Sequence, residues 1–354
     1  IQNRLAEVLR GKNDLVQAEA IYRDIIENAK TVDNSQNAFF SFANMLLDNQ
    51  RFDDAEKLVD KAVEKFPENK EFVASMKILV YSRMLDSRQD VPRMIEKLKE
   101  VDREAPNTQP AFRAMISLAQ YFRNDKREDE AEAIYVDLLN RPHTVGELEY
   151  EVLMNYAELQ TFRGKPDEAI KLIKDLPDKL EDPGRKLSAT SIYAEALAAN
   201  NQYEEALAVL RKVRRKLGGD KQAEIITYYS EAGIHRRFEH YSEAIQSYRQ
   251  ALKVATNPDQ EFQAYMEILA TYNATQNLTE RTKVLAEMEK RFKDSVEFAG
   301  EVSLQKAQVL IQQKKSTEAI ALLVPLLDNP KERLAKDAFN ALASLYADER
   351  KEAE

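Results

Sequence analysis

The sequence predicts an all-α fold: an α-solenoid of about nine helix-turn-helix repeats running through residues 1–354 as one array. Three observations predict it. Ala232 and Ala244 lie 12 residues apart across a short polar break, and Tyr248 and Ala251 follow at spacings of four and three. Those spacings put Ala244, Tyr248 and Ala251 on one helical face, and a small residue on each helix lets the two backbones approach. The pattern then recurs, with second-helix marks at 18, 55, 94, 131, 169, 206, 244, 282 and 319, steps of 37, 39, 37, 38, 37, 38, 38 and 37 residues. Steps that even describe units that bury their apolar faces only against neighbours. Glycine, finally, is scarce at 8 residues, and all but Gly233 fall at expected turns or helix ends, as a helical chain requires.

In order, Ala6 leads to Ala18 with Tyr22 and Ile25, and Ala43 to Ala55 with Val59 and Ala62. The third copy is degraded, Ser82 leading to Met94, Leu98 and Val101. Ala119 leads to Ala131, Tyr135 and Leu138; Ala157 to Ala169, Ile173 and Leu176; Ala194 to Ala206, Leu210 and Val213. After the pair at Ala232 comes a weak eighth copy, Ala270 with Thr282, Ala286 and Met288. A ninth follows, Ala307 with Ala319, Leu323 and Leu326, and a tenth begins at Ala343 and Tyr346. The units occupy roughly 1–35, 36–74, 75–111, 112–149, 150–186, 187–224, 225–262, 263–299 and 300–335, with a partial unit at 336–354.

Local signals support this division. Asp54, Glu130, Glu168, Glu205, Glu243 and Glu318 precede the small mark in the first turn of a second helix, where negative charge meets free backbone N–H groups. Pro92 and Pro166 open second helices, a position proline tolerates. Pro67, Pro106, Pro142, Pro183, Pro258 and Pro330 fall between repeats as helix stops, while Pro325 should kink or end the ninth second helix early.

These residues resemble the tetratricopeptide repeat. Leu5-Ala6, Leu118-Ala119, Tyr156-Ala157 and Tyr193-Ala194 match the large–small pair of its first helix, with Phe42-Ala43 a bulkier version. The second helix is matched by Tyr241-Ser-Glu-Ala-Ile-Gln-Ser-Tyr-Arg-Gln-Ala-Leu-Lys, with Pro258 after it. The steps exceed the roughly 34 residues usual in that family, so the extra residues should lengthen helices or loops. The resemblance implies a right-handed superhelix whose first helices line a concave groove for peptides or partner proteins. It places in that groove the residues three before, one after and four after each first-helix mark. These are Phe40, Asn44 and Leu47; Leu79, Arg83 and Asp86; Ile116, Gln120 and Arg123; Met154, Glu158 and Thr161; Ser191, Glu195 and Ala198; and Tyr229, Gly233 and Arg236.

The apolar members Phe40, Leu47, Leu79, Ile116 and Met154 form a row that is either an interaction surface or ordinary core. Phe40 and Asn44, then Leu79 and Arg83, occupy the places where chaperone-binding relatives assemble a Lys and Asn clamp for a C-terminal carboxylate, so that device is not expected.

Composition excludes several functions. A net charge of −9 argues against nucleic acid as partner, since phosphate binding needs a basic stripe. The one basic run, Arg211 to Lys216, lies at a helix end before Gly218-Gly219 and is read as complementing the helix dipole. No apolar run approaches the ~20 residues of a membrane span. Cysteine is absent, which removes disulfides and thiolate chemistry and leans toward a periplasmic or outer-membrane-associated protein, the cytoplasm being the alternative. The three histidines, His143, His235 and His240, are expected to be solvated; 235 and 240 are five apart and do not share a face as metal ligands would. No convergent nucleophile, base, metal set or phosphate loop is found, so neither cofactor nor catalysis is expected. The reading is a non-catalytic scaffold for a protein or peptide, placed in a bacterial assembly or secretion system. The alternatives are a regulatory or substrate-presenting arm of a larger enzyme, or a protein that self-associates through its terminal repeats.

Overall fold

A computed structural model describes residues 2–141, 146–295 and 297–353, so Pro142 and His143 lie outside the described residues. Among the described residues every regular element is helical. The chain divides into two compact units, Ile1–Ile173 and Lys174–Glu354. In the first, helices pair as Gln2–Gly11 with Leu15–Asn28, Gln36–Asp48 with Phe52–Lys65, and Lys70–Asp86 with Val91–Glu104; then come Gln109–Asn124 with Glu128–Asn140 and Gly146–Phe162 with Pro166–Ile173. The second holds a short helix, Leu176–Lys179, and the pairs Pro183–Ala199 with Tyr203–Lys216, Lys221–Arg237 with Tyr241–Val254, Pro258–Ala274 with Leu278–Phe292, and Ala299–Gln312 with Ser316–Leu323. A long helix, Glu332–Ala353, closes it.

The first helices start on sequence-encoded caps. The side chains of Asn69, Thr108, Asp182, Asp220 and Asn257 each accept a backbone N–H from the first turn that follows. Pro183 and Pro258 therefore sit at the first helical position and open helices; they are not the stops the sequence suggested. Pro325 behaves as expected: the ninth second helix ends at Leu323 and passes into a 3₁₀ turn, Val324–Leu326.

One device closes every repeat. After each first helix a single residue adopts the left-handed conformation: Asn13, Gln50, Arg88, Lys126, Gly164, Asn201, Glu239, Gln276 and Lys314. The N–H of the next residue reaches back to the carbonyl five before it, as in His240 to His235 at 2.8 Å and Asn277 to Tyr272 at 2.9 Å. This is the paired-bond motif that satisfies orphan carbonyls at a helix end. Glycine fills the position only at Gly164.

That turn fixes the register and corrects three expectations. In seven repeats an alanine stands seven residues before the left-handed residue and another five after it, all 0% exposed. In repeat eight the same places hold Leu269 and Arg281, which are buried, whereas Ala270, Thr282 and Ala286 are exposed; the sequence register was one residue late. In repeat three the first-helix place is Tyr81, not Ser82, and an added left-handed residue at Asp90 restores Met94 to the core. In the closing helix Leu342 and Leu345 are buried, while Ala343 and Tyr346 are exposed.

Candidate functional site

The residues assigned to the groove separate by burial. In the first unit Leu47, Ile116 and Met154 are only 5, 2 and 7% exposed, so they are core and offer no surface anchor. The physical reason is crowding: within this unit each first helix packs against both its own second helix and a neighbouring first helix, which leaves little of it free. Phe40 and Leu79 are half-buried against the same core, Phe40 meeting Phe72 edge-on at 5.9 Å. What remains accessible is polar. Asn44, Gln120 and Arg123 are half-buried and Arg83 is exposed.

These polar residues link successive first helices. The Arg83 guanidinium donates to Asp48 at 2.8 Å, Gln120 to Asn155 at 2.9 Å and Arg123 to Glu158 at 3.0 Å. Pairs of this exposure contribute little stability, about 0–1 kcal/mol, and exchange partners easily. The second helices carry their own ladder, Arg93 to Glu56 at 2.6 Å in this unit and Arg249 to Glu287 at 2.5 Å in the other.

In the second unit Tyr229 is half-buried, edge-on to Tyr248 at 5.4 Å. Its hydroxyl is buried without a partner, and burial pushes the phenol well above its ordinary value. Gly233 is exposed, and Arg236 donates to Glu267 at 3.2 Å. Among the described residues no group of three or more His, Cys, Asp or Glu could hold a metal ion, and no helix is long and apolar enough to cross a membrane.

Residues 225–345 match a family model for the tetratrico peptide repeat, and residues 187–212 match a second tetratricopeptide repeat model. Over those residues the chain matches the tetratricopeptide-repeat family. The structure of yeast Tom70 superposes with a TM-score of 0.56 at 14% identity, covering 90% of this chain and 61% of that one, a likeness of fold to part of a longer protein. A tetratricopeptide repeat protein from Parabacteroides merdae aligns at 15% identity with a TM-score of 0.44, covering 76% of this chain and 99% of that one. The pilF protein of Pseudomonas aeruginosa aligns at 13% identity with a TM-score of 0.42, covering 65% and 96%. No curated protein sequence matches.

Two clusters in this chain escaped the sequence reading. Arg214, a member of the basic run at a helix end, forms a bidentate pair with buried Glu231, both bonds 2.9 Å. Lys212 and Lys216 lie within 3.6 Å and 3.3 Å of Asp178. The run is thus largely neutralised by acids on other helices. His235 is buried rather than solvated, and burial pushes its imidazole below the ordinary value. Tyr203 bridges it to His240, its hydroxyl 2.7 Å from Nδ1 of His235 and 2.8 Å from Nδ1 of His240. A signal for the first cluster was available: Arg211 and Arg214 are one turn apart and so share a face. None marked the second, because Tyr203 lies more than 30 residues from either histidine.

Proposed function

We propose that this chain is a non-catalytic scaffold whose first-helix face takes a protein or peptide segment, in a bacterial assembly or secretion system. The observation that carries this reading is the polar row Asn44, Arg83, Gln120 and Arg123, presented at successive first helices over the half-buried side chains of Phe40 and Leu79. Rearrangeable pairs such as Arg83–Asp48 and Arg123–Glu158 give a partner hydrogen-bond donors at little cost to the fold. The tetratricopeptide fold, which serves mainly in protein interaction, supports the same reading, and the cysteine-free composition suits an extracytoplasmic setting.

The test is site-specific photo-crosslinking from position 44 in the source cells. Charge reversal by Arg83→Glu with Arg123→Glu should abolish the adduct, and Lys99→Glu on an exposed second-helix position should leave it intact. An adduct that survives the double reversal would remove this face from the function.

A further inference from the structure

Repeat eight carries a buried cation without a counter-ion. Arg281 is 6% exposed and occupies a place where seven other repeats bury alanine. Its Nη1 donates to the side-chain oxygens of Asn273 at 2.9 Å and Gln312 at 2.8 Å. Nε is buried without a partner, and among the described residues Nη2 has none either. Burial pushes the guanidinium below its ordinary value, and no carboxylate offsets it. A buried charge left in this state is costly, and its presence in a repeat that could have used alanine needs a reason.

The reason lies beside it. Arg281 lines a pocket of about 480 Å³ whose walls are two first helices, Pro258–Ala274 and Ala299–Gln312. Leu269 lies at its apolar side, and the polar lining is Asn273, Gln305, Gln308 and Gln312 beside Arg281, with no acid among the lining residues. Gln305, Gln308 and Gln312 are spaced three and four apart and share one helical face. Asn273 and Gln312 spend their oxygens on Nη1, which leaves their NH₂ groups as donors. The Nε–Nη2 edge is the geometry that a carboxylate takes in a bidentate grip. In a chain of net charge −9 the pocket thus presents a cation and amide donors with no acid among its lining residues.

We propose that the pocket binds a carboxylate of a peptide partner, Arg281 gripping the carboxylate while the flanking amides hold the peptide backbone. This deepens the scaffold reading and rests on it. The sources of the carboxylate are an acidic side chain or a C-terminus. The site differs from the clamp sought at Phe40 and Asn44, because its cation comes from a second helix and emerges only once Leu269 and Arg281 replace the small pair.

The experiment follows the side-chain Nε–Hε resonance of Arg281 in the full chain labelled with ¹⁵N-arginine, assigned by its loss in Arg281→Gln. Three end-defined pentapeptides are titrated to millimolar concentration: a blocked peptide with one glutamate, its blocked glutamine counterpart, and the glutamine peptide with a free C-terminus. The resonance should move with one or both carboxylate peptides and stay fixed with the blocked glutamine peptide; which of the two acts names the source. No movement with either carboxylate, or equal movement with the neutral peptide, overturns the proposal. Arg281→Lys keeps a charge but loses the bidentate edge and should weaken binding about tenfold or more, the scale of a hydrogen bond to a charged group. Arg281→Met should raise the Tm of the free protein and remove the peptide response; a retained response overturns the proposal even if the Tm rises. Failure here with the crosslink from position 44 intact would sink only the pocket. A responding Arg281 with a crosslink indifferent to Arg83 and Arg123 would sink only the first-unit face.

Discussion

Repeats seven and eight have the same chassis and different contents. Their first helices, Lys221–Arg237 and Pro258–Ala274, are each 17 residues long, and each ends in a left-handed residue, Glu239 or Gln276, with the same backbone closure. In repeat seven the places flanking that turn hold Ala232 and Ala244, so at that point of contact only methyl groups lie between the two helices. Repeat eight fills the same places with Leu269 and Arg281, and a pocket opens beside them. The turn sets the register; the small pair sets only how closely the helices approach. A repeat can therefore surrender its small residues, stay in register, and gain a cavity.

Substitutions at the shared place should then have opposite logic in the two repeats. Leu269 is packed in the core of its unit, so Leu269→Ala should cost about 2–5 kcal/mol, the usual range for deleting a buried leucine. Ala232→Leu should cost about 1–3 kcal/mol, because the added methylenes must force apart backbones already in contact. Urea unfolding of both variants measures this. If shrinking Leu269 were harmless and enlarging Ala232 equally so, neither position would lie at the helix–helix contact.

The fold was readable because it repeats. Each marked alanine is weak evidence, but the 37–39-residue steps leave one architecture, and the errors fall where a repeat changed its contents. In repeat eight the period points to Thr282, one residue after the buried Arg281, and a buried arginine has no periodic signature of its own. The left-handed turns that would have settled the register are marked in sequence only at Asn13, Gly164 and Asn201, since Gln50, Arg88, Lys126, Glu239, Gln276 and Lys314 are not residues that favour that conformation. The surface was read less well. Position alone placed Phe40, Leu47, Leu79, Ile116 and Met154 in one row, but burial depends on how neighbouring first helices pack, and that returned Leu47, Ile116 and Met154 to the core.

A third effect belongs to repeat seven and should be smaller than either core change. Burial holds the His235 imidazole below its ordinary value of 6.5, against the pull of nearby Glu231 and Glu243. The unfolded chain then binds more protons than the folded one as pH falls through 6.5, so acid withdraws stability. The loss begins near that value and stops below the depressed folded value. His235→Gln should flatten the dependence of Tm on pH between neutrality and mild acid. An unchanged slope would show that His235 is protonated as readily in the fold as out of it.

The smallest effect should be the same in both repeats, because it concerns the part they share. Glu239 and Gln276 have φ of 59° and 54°, a region that costs an L-residue roughly 1–2 kcal/mol and glycine almost nothing. Against that gain stands the greater freedom that glycine gives the unfolded chain, about 0.4–1 kcal/mol. Glu239→Gly and Gln276→Gly should therefore each stabilise by up to about 1 kcal/mol, and by equal amounts within error, since the backbone bonds that close the two turns are alike. Gly164→Ala, at φ 72°, should lose a similar amount, although a Cβ there would meet no atom within 4 Å. Chemical denaturation of the three single variants measures all of this. A gain confined to repeat seven would mean that the turn of repeat eight is held by its pocket rather than by its own backbone, and the shared chassis would have to be abandoned.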